Sequence, residues 1–191
     1  SSPEGFKALA NSWQVCEEKA AEHGQTVSRD NWRVVFPLHI AETREQARND
    51  LEHGLMDMFN YFHKFGGDLF PTVKSLDEAI DIWTTGGLGA FCVGLVGTPD
   101  DLVAHIEKLQ EQSGGFGTFL SLAHNAASPE ATRKSYDLIA RYVMPRFQHS
   151  NANRTASIEW AAANANRFME AYMSGINSAI KPFGLSMIAF P

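Results

Sequence analysis

Cysteine is scarce. Cys16 and Cys92 are the two in 191 residues, which rules out a disulfide framework and supplies no paired metal motif; both read as reduced, semi-buried thiols. Long apolar runs are missing too: no stretch approaches the roughly 18 consecutive apolar residues of a membrane span, and the first residues carry no charged-then-apolar signal pattern. Basic residues are in deficit, 16 Lys and Arg against 22 Asp and Glu for a net charge of -6. With no basic stripe, that balance argues against a nucleic-acid partner as well as a membrane one. The expectation is a soluble, cytoplasmic protein. No two of the seven histidines stand at i,i+4 beside an acid as in zinc enzymes, so no metal is assigned. Ser121 is not in a nucleophile-elbow setting, which leaves acyl transfer without support.

What is present is a core. Hydrophobic residues make up 44% of the chain, enough for one domain with a substantial interior. Its organising stretch runs from Gly114 to Phe147. The glycines at 114, 115 and 117 stop one helix, Phe116 and Thr118–Leu122 suit a strand buried on both faces, and Ser128, Pro129 and Glu130 open a new helix as cap, first-turn proline and dipole-matched acid. Ala131, Ser135, Leu138, Ile139, Tyr142 and Val143 then recur near every 3.6 residues. This strand–turn–helix puts His124 and Asn125 at the carboxyl end of a parallel strand, where α/β sheets carry their ligands.

The rest alternates in the same way. Phe6, Leu9, Trp13, Cys16 and Ala20 mark an amphipathic helix that ends near His23-Gly24. Trp32–Ile40 reads as a second buried strand, with a bulge or strand end expected at Pro37, which has no N–H to donate. Thr43 and Gln46 form a capping box opening one helix with Ala47, Leu51, Leu55, Met58 and Phe62 on its inner stripe. From about 58 to 91 the pattern loosens into Phe59, Tyr61, Phe62, Phe65, Phe70, Trp83 and Phe91 among glycines, with a short helix through Leu76, Ile80 and Trp83. That segment is either an insertion that folds over something or a satellite cluster under a surface loop. Thr98 and Pro99 start a helix carrying Leu102, Ile106 and Leu109 inward. A polar hinge, Gln148–Thr155, separates residues 1–147 from an extension, 148–191, with one last helix.

Two buried strands against five or six helices is a shortage. A parallel strand that is apolar on both faces needs neighbours on both edges and cover above and below. The reading is α/β: the last part of a larger barrel whose earlier strands lie on another polypeptide or fragment. His39, at the end of the first strand, shares with His124 the position expected of a catalytic group.

Trp32-Arg33-Val34-Val35-Phe36-Pro37-Leu38-His39-Ile40-Ala41-Glu42-Thr43-Arg44-Glu45, then Val96-Gly97-Thr98-Pro99-Asp100-Asp101-Leu102, then Gly114-Gly115-Phe116-Gly117 through His124 with Pro129-Glu130-Ala131-Thr132 and Ala140–Pro145, resemble the carboxyl-terminal half of luciferase-like flavin-dependent monooxygenases, in the limonene or alkane monooxygenase-like branch. The resemblance implies a TIM-type (β/α)8 barrel, with Trp32–Ile40 as strand seven, the aromatic stretch as an insertion after it, Gly117–Ala123 as strand eight and an extra C-terminal helix. It implies reduced FMN, supplied by a separate flavin reductase, and O2, which form a flavin hydroperoxide that oxygenates a hydrophobic small molecule. His124 and His39 are the catalytic candidates. Phe62, Trp83, Phe91 and Asn125 are the substrate-binding candidates, Asn125 also suiting plain turn chemistry. The flavin-phosphate contacts belong to the missing N-terminal barrel half, and a homo-oligomer is expected. A non-catalytic flavin-binding or scaffolding relative and a deazaflavin-dependent oxidoreductase are the alternatives; alone, the segment is expected to be inactive.

Overall fold

The computed structural model describes residues 3–67, 70–85, 94–148 and 152–184. Phe91 and Cys92 lie outside them, and so do the side chains of Phe6 and Leu9. The chain divides into two compact units, Ser1–Phe147 and Gln148–Pro191.

The first unit is built on a parallel sheet. Strand β1 (Arg33–Ile40) lies between β2 (Leu95–Gly97) and β3 (Thr118–Leu122). Five consecutive rungs join β1 to β3, from Arg33 opposite Thr118 to Pro37 opposite Leu122, and three join it to β2, from Leu38 opposite Leu95 to Ile40 opposite Gly97. Two strands were legible in the sequence. The third was missed because its three residues are too few to show a period.

Pro37 neither bulges nor ends β1. A Cβ placed on Gly94 would fall 2.6 Å from the Pro37 carbonyl oxygen, so this residue's polar edge faces β2, one residue before that ladder begins. The missing N–H therefore breaks no rung.

Alternate residues of β1, Val34, Phe36, Leu38 and Ile40, are at most 3% exposed. They pack against Leu102, Val103, Ile106 and Leu109 of α5 (Pro99–Ser113), joined by Leu138 and Val143. Each such side chain contributes about 1.5–3 kcal/mol by leaving water. The opposite face differs from expectation: Val35, Leu120 and Leu122 are 46, 40 and 48% exposed. β3 is thus fully covered on one side only; among the described residues the other side is roofed only at its carboxyl end, by Phe59, Phe62 and Trp83.

Helix α5 opens on the capping box of Thr98 and Asp101 and closes at Gly114, whose left-handed backbone (φ 78°) returns its N–H to Gln110. Arg29, from a short 3-10 turn before β1, finishes this end. Its guanidinium donates to the carbonyls of Ser113 and Gly115 and lies 4.9 and 5.7 Å from the ring centroids of Trp13 and Trp32. A cation at a helix C-terminus satisfies carbonyls and matches the dipole. Among the described side chains of α1 (Pro3–Glu22), Trp13 is the buried one; Cys16 is exposed, not semi-buried.

The helix expected after β1 is two. Arg44–Asp50 (α2) passes through a 3-10 turn, Leu51–His53, and a new helix, α3, runs Leu55–Gly66. The expected stripe holds at Ala47, Leu51 and Leu55, but past the break at Gly54 it continues through buried Phe59, with Met58 half-buried and Phe62 exposed. Leu76–Thr85 forms α4. Pro129–Leu138 (α6) starts on the Ser128 cap as read, then widens into a π-helical turn, Ile139–Val143, before Met144–Phe147 (α7). The widened turn shifts the phase, so Val143 is buried and Tyr142 is 58% exposed.

In the second unit the expected hinge is shorter and the expected helix is broken. Helix α8 (Ala152–Ala163) begins within the polar stretch, and α9 (Ala165–Ile180) follows Asn164, whose amide bonds the Trp160 carbonyl at 2.8 Å and competes with the helical ladder. Neither helix has a buried residue. Among the described residues no helix is long and apolar enough to cross a membrane.

Replacing Arg29 by alanine removes two hydrogen bonds and two ring contacts at once. The expected loss is about 2 kcal/mol of unfolding free energy, read as a lowered urea midpoint with unchanged slope.

Candidate functional site

A cavity of about 980 Å³ opens at the carboxyl ends of β1 and β3, a size suited to a small-molecule ligand. Its floor is the uncovered sheet face, Val35 and Pro37 beside Leu122 and Ala123. Helix α3 supplies Met58, Phe59 and Phe62, Trp83 comes from α4, and Phe70 closes the side. The walls are mostly apolar because the strand face and the inner stripes of two helices meet here. The aromatics interlock: Phe62 stacks on Phe70 at 5.3 Å, and Trp83, 3% exposed, meets His124 edge-on at 4.9 Å. A bond from His63 Nδ1 to the Phe70 carbonyl, 2.7 Å, returns the chain after α3 to the helix. The described part of the 58–91 segment, residues 58–67 and 70–85, therefore folds over a cavity.

His124 lines this cavity with both nitrogens engaged. Nε2 donates to the Leu38 carbonyl at 2.9 Å and Nδ1 accepts from the Ala126 N–H at 3.3 Å. That pattern fixes the neutral tautomer protonated on Nε2. Burial pushes the imidazole below its ordinary value, the Leu38 carbonyl opposes this, and neighbouring His39 adds a smaller push downward. His39 itself stands behind the cavity wall, 1% exposed, its Nε2 bonded to Asp50 Oδ2 at 3.0 Å and its ring 6.3 Å from that of His124. Sequence reasoning placed both histidines at one end of the sheet; their unequal access to the cavity is a property of the packing.

Of the substrate-binding candidates, Phe62, Trp83 and Asn125 line the cavity, and Phe91 is outside the described residues. Asn125 lies in the turn after β3, which is pinned to the start of α3: Gly54 N–H donates to the Ala126 carbonyl at 2.9 Å. A Cβ on Gly54 would come within 2.8 Å of the Asn125 carbonyl oxygen. This close approach explains the glycine and the break between α2 and α3.

The sequence reading missed His53, Asp57 and Tyr61, polar groups on the cavity rim, and Asp50 behind it. The signal available was spacing: Gln46 to Asp50 and His53 to Asp57 are both i,i+4. His53 also borders a shallower depression with Thr132, Arg133 and Tyr136. Among the described residues no cluster of His, Cys, Asp and Glu could hold a metal ion.

No family model matches the chain. It is 40% identical over 167 residues to limonene 1,2-monooxygenase of Rhodococcus erythropolis, a match covering 81% of this chain and 42% of that protein. It is 38% identical over 164 residues to 4-hydroxyprotoasukamycin monooxygenase of Streptomyces nodosus subsp. asukaensis, covering 82% and 41%. Over about four fifths of its length the chain is related to these monooxygenases. A solved relative is the oxygenating constituent of 3,6-diketocamphane monooxygenase from Pseudomonas putida, a type II Baeyer–Villiger monooxygenase in complex with FMN. It superposes with a TM-score of 0.52 at 26% identity, over 74% of this chain and 40% of that one. The chain thus spans about two fifths of the monooxygenases it matches.

Two outcomes follow from the geometry. Gly54→Ala forces the turn at Asn125 and Ala126 outward, so a Trp83 emission shift and a loss of about 1–3 kcal/mol are expected. Because the His124 value is depressed in the fold, its contribution is complete above the ordinary histidine value of about 6.5 and is lost as pH falls through the lower folded value. Urea midpoints from about pH 7 to about pH 5 should therefore fall less steeply in His124→Gln than in the parent.

Proposed function

We propose that this chain is the carboxyl-terminal part of an FMN-dependent monooxygenase that oxygenates an apolar small molecule, with the cavity beneath Trp83 and Phe62 as its substrate end. The single observation that carries the reading is the position of that cavity at the carboxyl ends of two adjacent parallel strands, the ligand end of α/β barrels. In this reading β1 and β3 are strands seven and eight of a TIM-type barrel, α5 and α6 lie outside it, and the open face of Val35, Leu120 and Leu122 looks into its interior. The earlier strands, on the same or another polypeptide, cover that face. Homo-oligomerisation and a separate flavin reductase complete the assembly.

The residues present fit part of the cofactor. An apolar, aromatic-walled space of about 980 Å³ suits a flat ring system together with a substrate. Among the described residues no Lys or Arg lines it, so the FMN phosphate is assigned to the rest of the barrel. Reduced FMN supplies the two electrons with which O2 gives one oxygen atom to the substrate and the other to water. This chain's task is to shape the apolar site and exclude bulk water. Trp83, Phe62 and Phe70 form the water-excluding wall, and His124 presents a neutral ring whose one proton is held at Nε2 by the Leu38 carbonyl.

The test uses the complete protein with a flavin reductase, NADH, FMN and a cyclic terpene such as limonene. The expected result is a product heavier by one oxygen atom, labelled from 18O2, with Trp83→Ala lowering kcat/KM about tenfold or more. Saturable FMN binding without oxygenated product would favour a flavin-binding scaffold and overturn the proposal.

A further inference from the structure

Asp50 occupies a poor place for an aspartate. It is the last residue of α2, where the helix dipole disfavours negative charge, and aspartate is a weak helix former. A local rule broken in this way points to a contact elsewhere. That contact is tertiary: Oδ2 takes the Nε2 proton of buried His39 at 3.0 Å, while Oδ1 takes the amide of Gln46, one turn earlier, at 2.6 Å. The carboxylate side chain is 14% exposed and its partner ring 1%. Both oxygens are occupied, so the carboxylate is held from two sides.

The consequence reaches the cavity. With Oδ2 as acceptor, the hydrogen of a neutral His39 ring sits on Nε2 and Nδ1 is its basic nitrogen. The His39 ring meets His124 at 6.3 Å and 67°, and His124 meets Trp83 at 4.9 Å and 79°. His124 and Trp83 line the cavity; His39 and Asp50 do not. We propose that Asp50, braced by Gln46, is a positioning residue for the oxygenation: it fixes the tautomer and pose of His39, and through that ring the His124–Trp83 wall against which substrate is held. This rests on the monooxygenase reading above.

The experiment takes the complete protein as Asp50→Asn, Asp50→Glu and Gln46→Ala, with thermal melts to establish folding. In Asp50→Asn the amide can turn its NH2 toward His39, so kcat is expected to fall about tenfold or more with KM within about twofold. Long-range 1H–15N spectra should show His39 leaving a single Nε2–H tautomer for a mixture. Asp50→Glu, which keeps the carboxylate, should recover part of the rate and the Nε2–H signature. Should Asp50→Asn not fold, Gln46→Ala decides, with an expected fall in kcat of about two- to fivefold. A folded Asp50→Asn with kcat and tautomer both unchanged, or a Gln46→Ala at parental kcat when Asp50→Asn is unfolded, overturns the proposal. If the parent itself forms no oxygenated product, the functional reading fails instead, and the tautomer spectra still report whether Asp50 governs His39.

Discussion

Five rungs between β1 and β3 hold the molecule's functional geometry. Because the strands run parallel and in register from Arg33–Thr118 to Pro37–Leu122, whatever follows each strand emerges at the same end. His39 and His124, 85 residues apart in sequence, become neighbours for that reason alone. The bond from His124 Nε2 to the Leu38 carbonyl then locks the end of one strand to the turn after the other. Helix α5 makes the ladder possible by covering Val34, Phe36, Leu38 and Ile40, and α6 adds a direct tie, the Ser135 hydroxyl accepting from the Ile40 N–H at 3.0 Å.

The same sheet explains why the cavity is apolar. A parallel strand is hydrophobic on both faces because helices ordinarily lie on both, and here α5 and α6 cover one. The other face carries Val35, Leu120 and Leu122 half-exposed, and α3 and α4 roof its carboxyl end with Phe59, Phe62 and Trp83. The match reaches about two fifths of each related monooxygenase, and among the described residues this second face is the less covered one. Polar groups enter the site at fixed points, His124 from the strand end, His53 from the turn before α3 and Asp57 from the first turn of α3, while Asp50 and His39 stand one layer back.

Much of this was legible wherever a local signal carried it. The caps at Thr43, Thr98 and Ser128 stand where the residue types placed them, since a hydroxyl beside the first helical turn has one dominant use. Ala47, Leu51 and Leu55 kept their inward spacing, whereas Phe59 took the buried place read for Met58 and Phe62. The helix break at Gly54 was not legible, because its cause is a carbonyl of Asn125 approaching from 71 residues away. The exposure of Leu120 and Leu122 was read wrongly for a related reason: apolar composition says that a strand is fit to be buried and does not say by what. Unit two was simplified to one helix because the competition at Asn164 is weak in sequence and decisive in geometry.

By itself the sequence determined the alternation of helix and strand, the parallel sense of the two long strands and the kinship to flavin-dependent monooxygenases, because each rests on residue types at short, fixed spacings. Tertiary structure alone decided which histidine faces the cavity, which stands behind it in the grip of Asp50, and how Gly54 folds α3 over the sheet. These follow from close approaches between segments dozens of residues apart, and no local pattern of side chains encodes a distance that the packing itself creates.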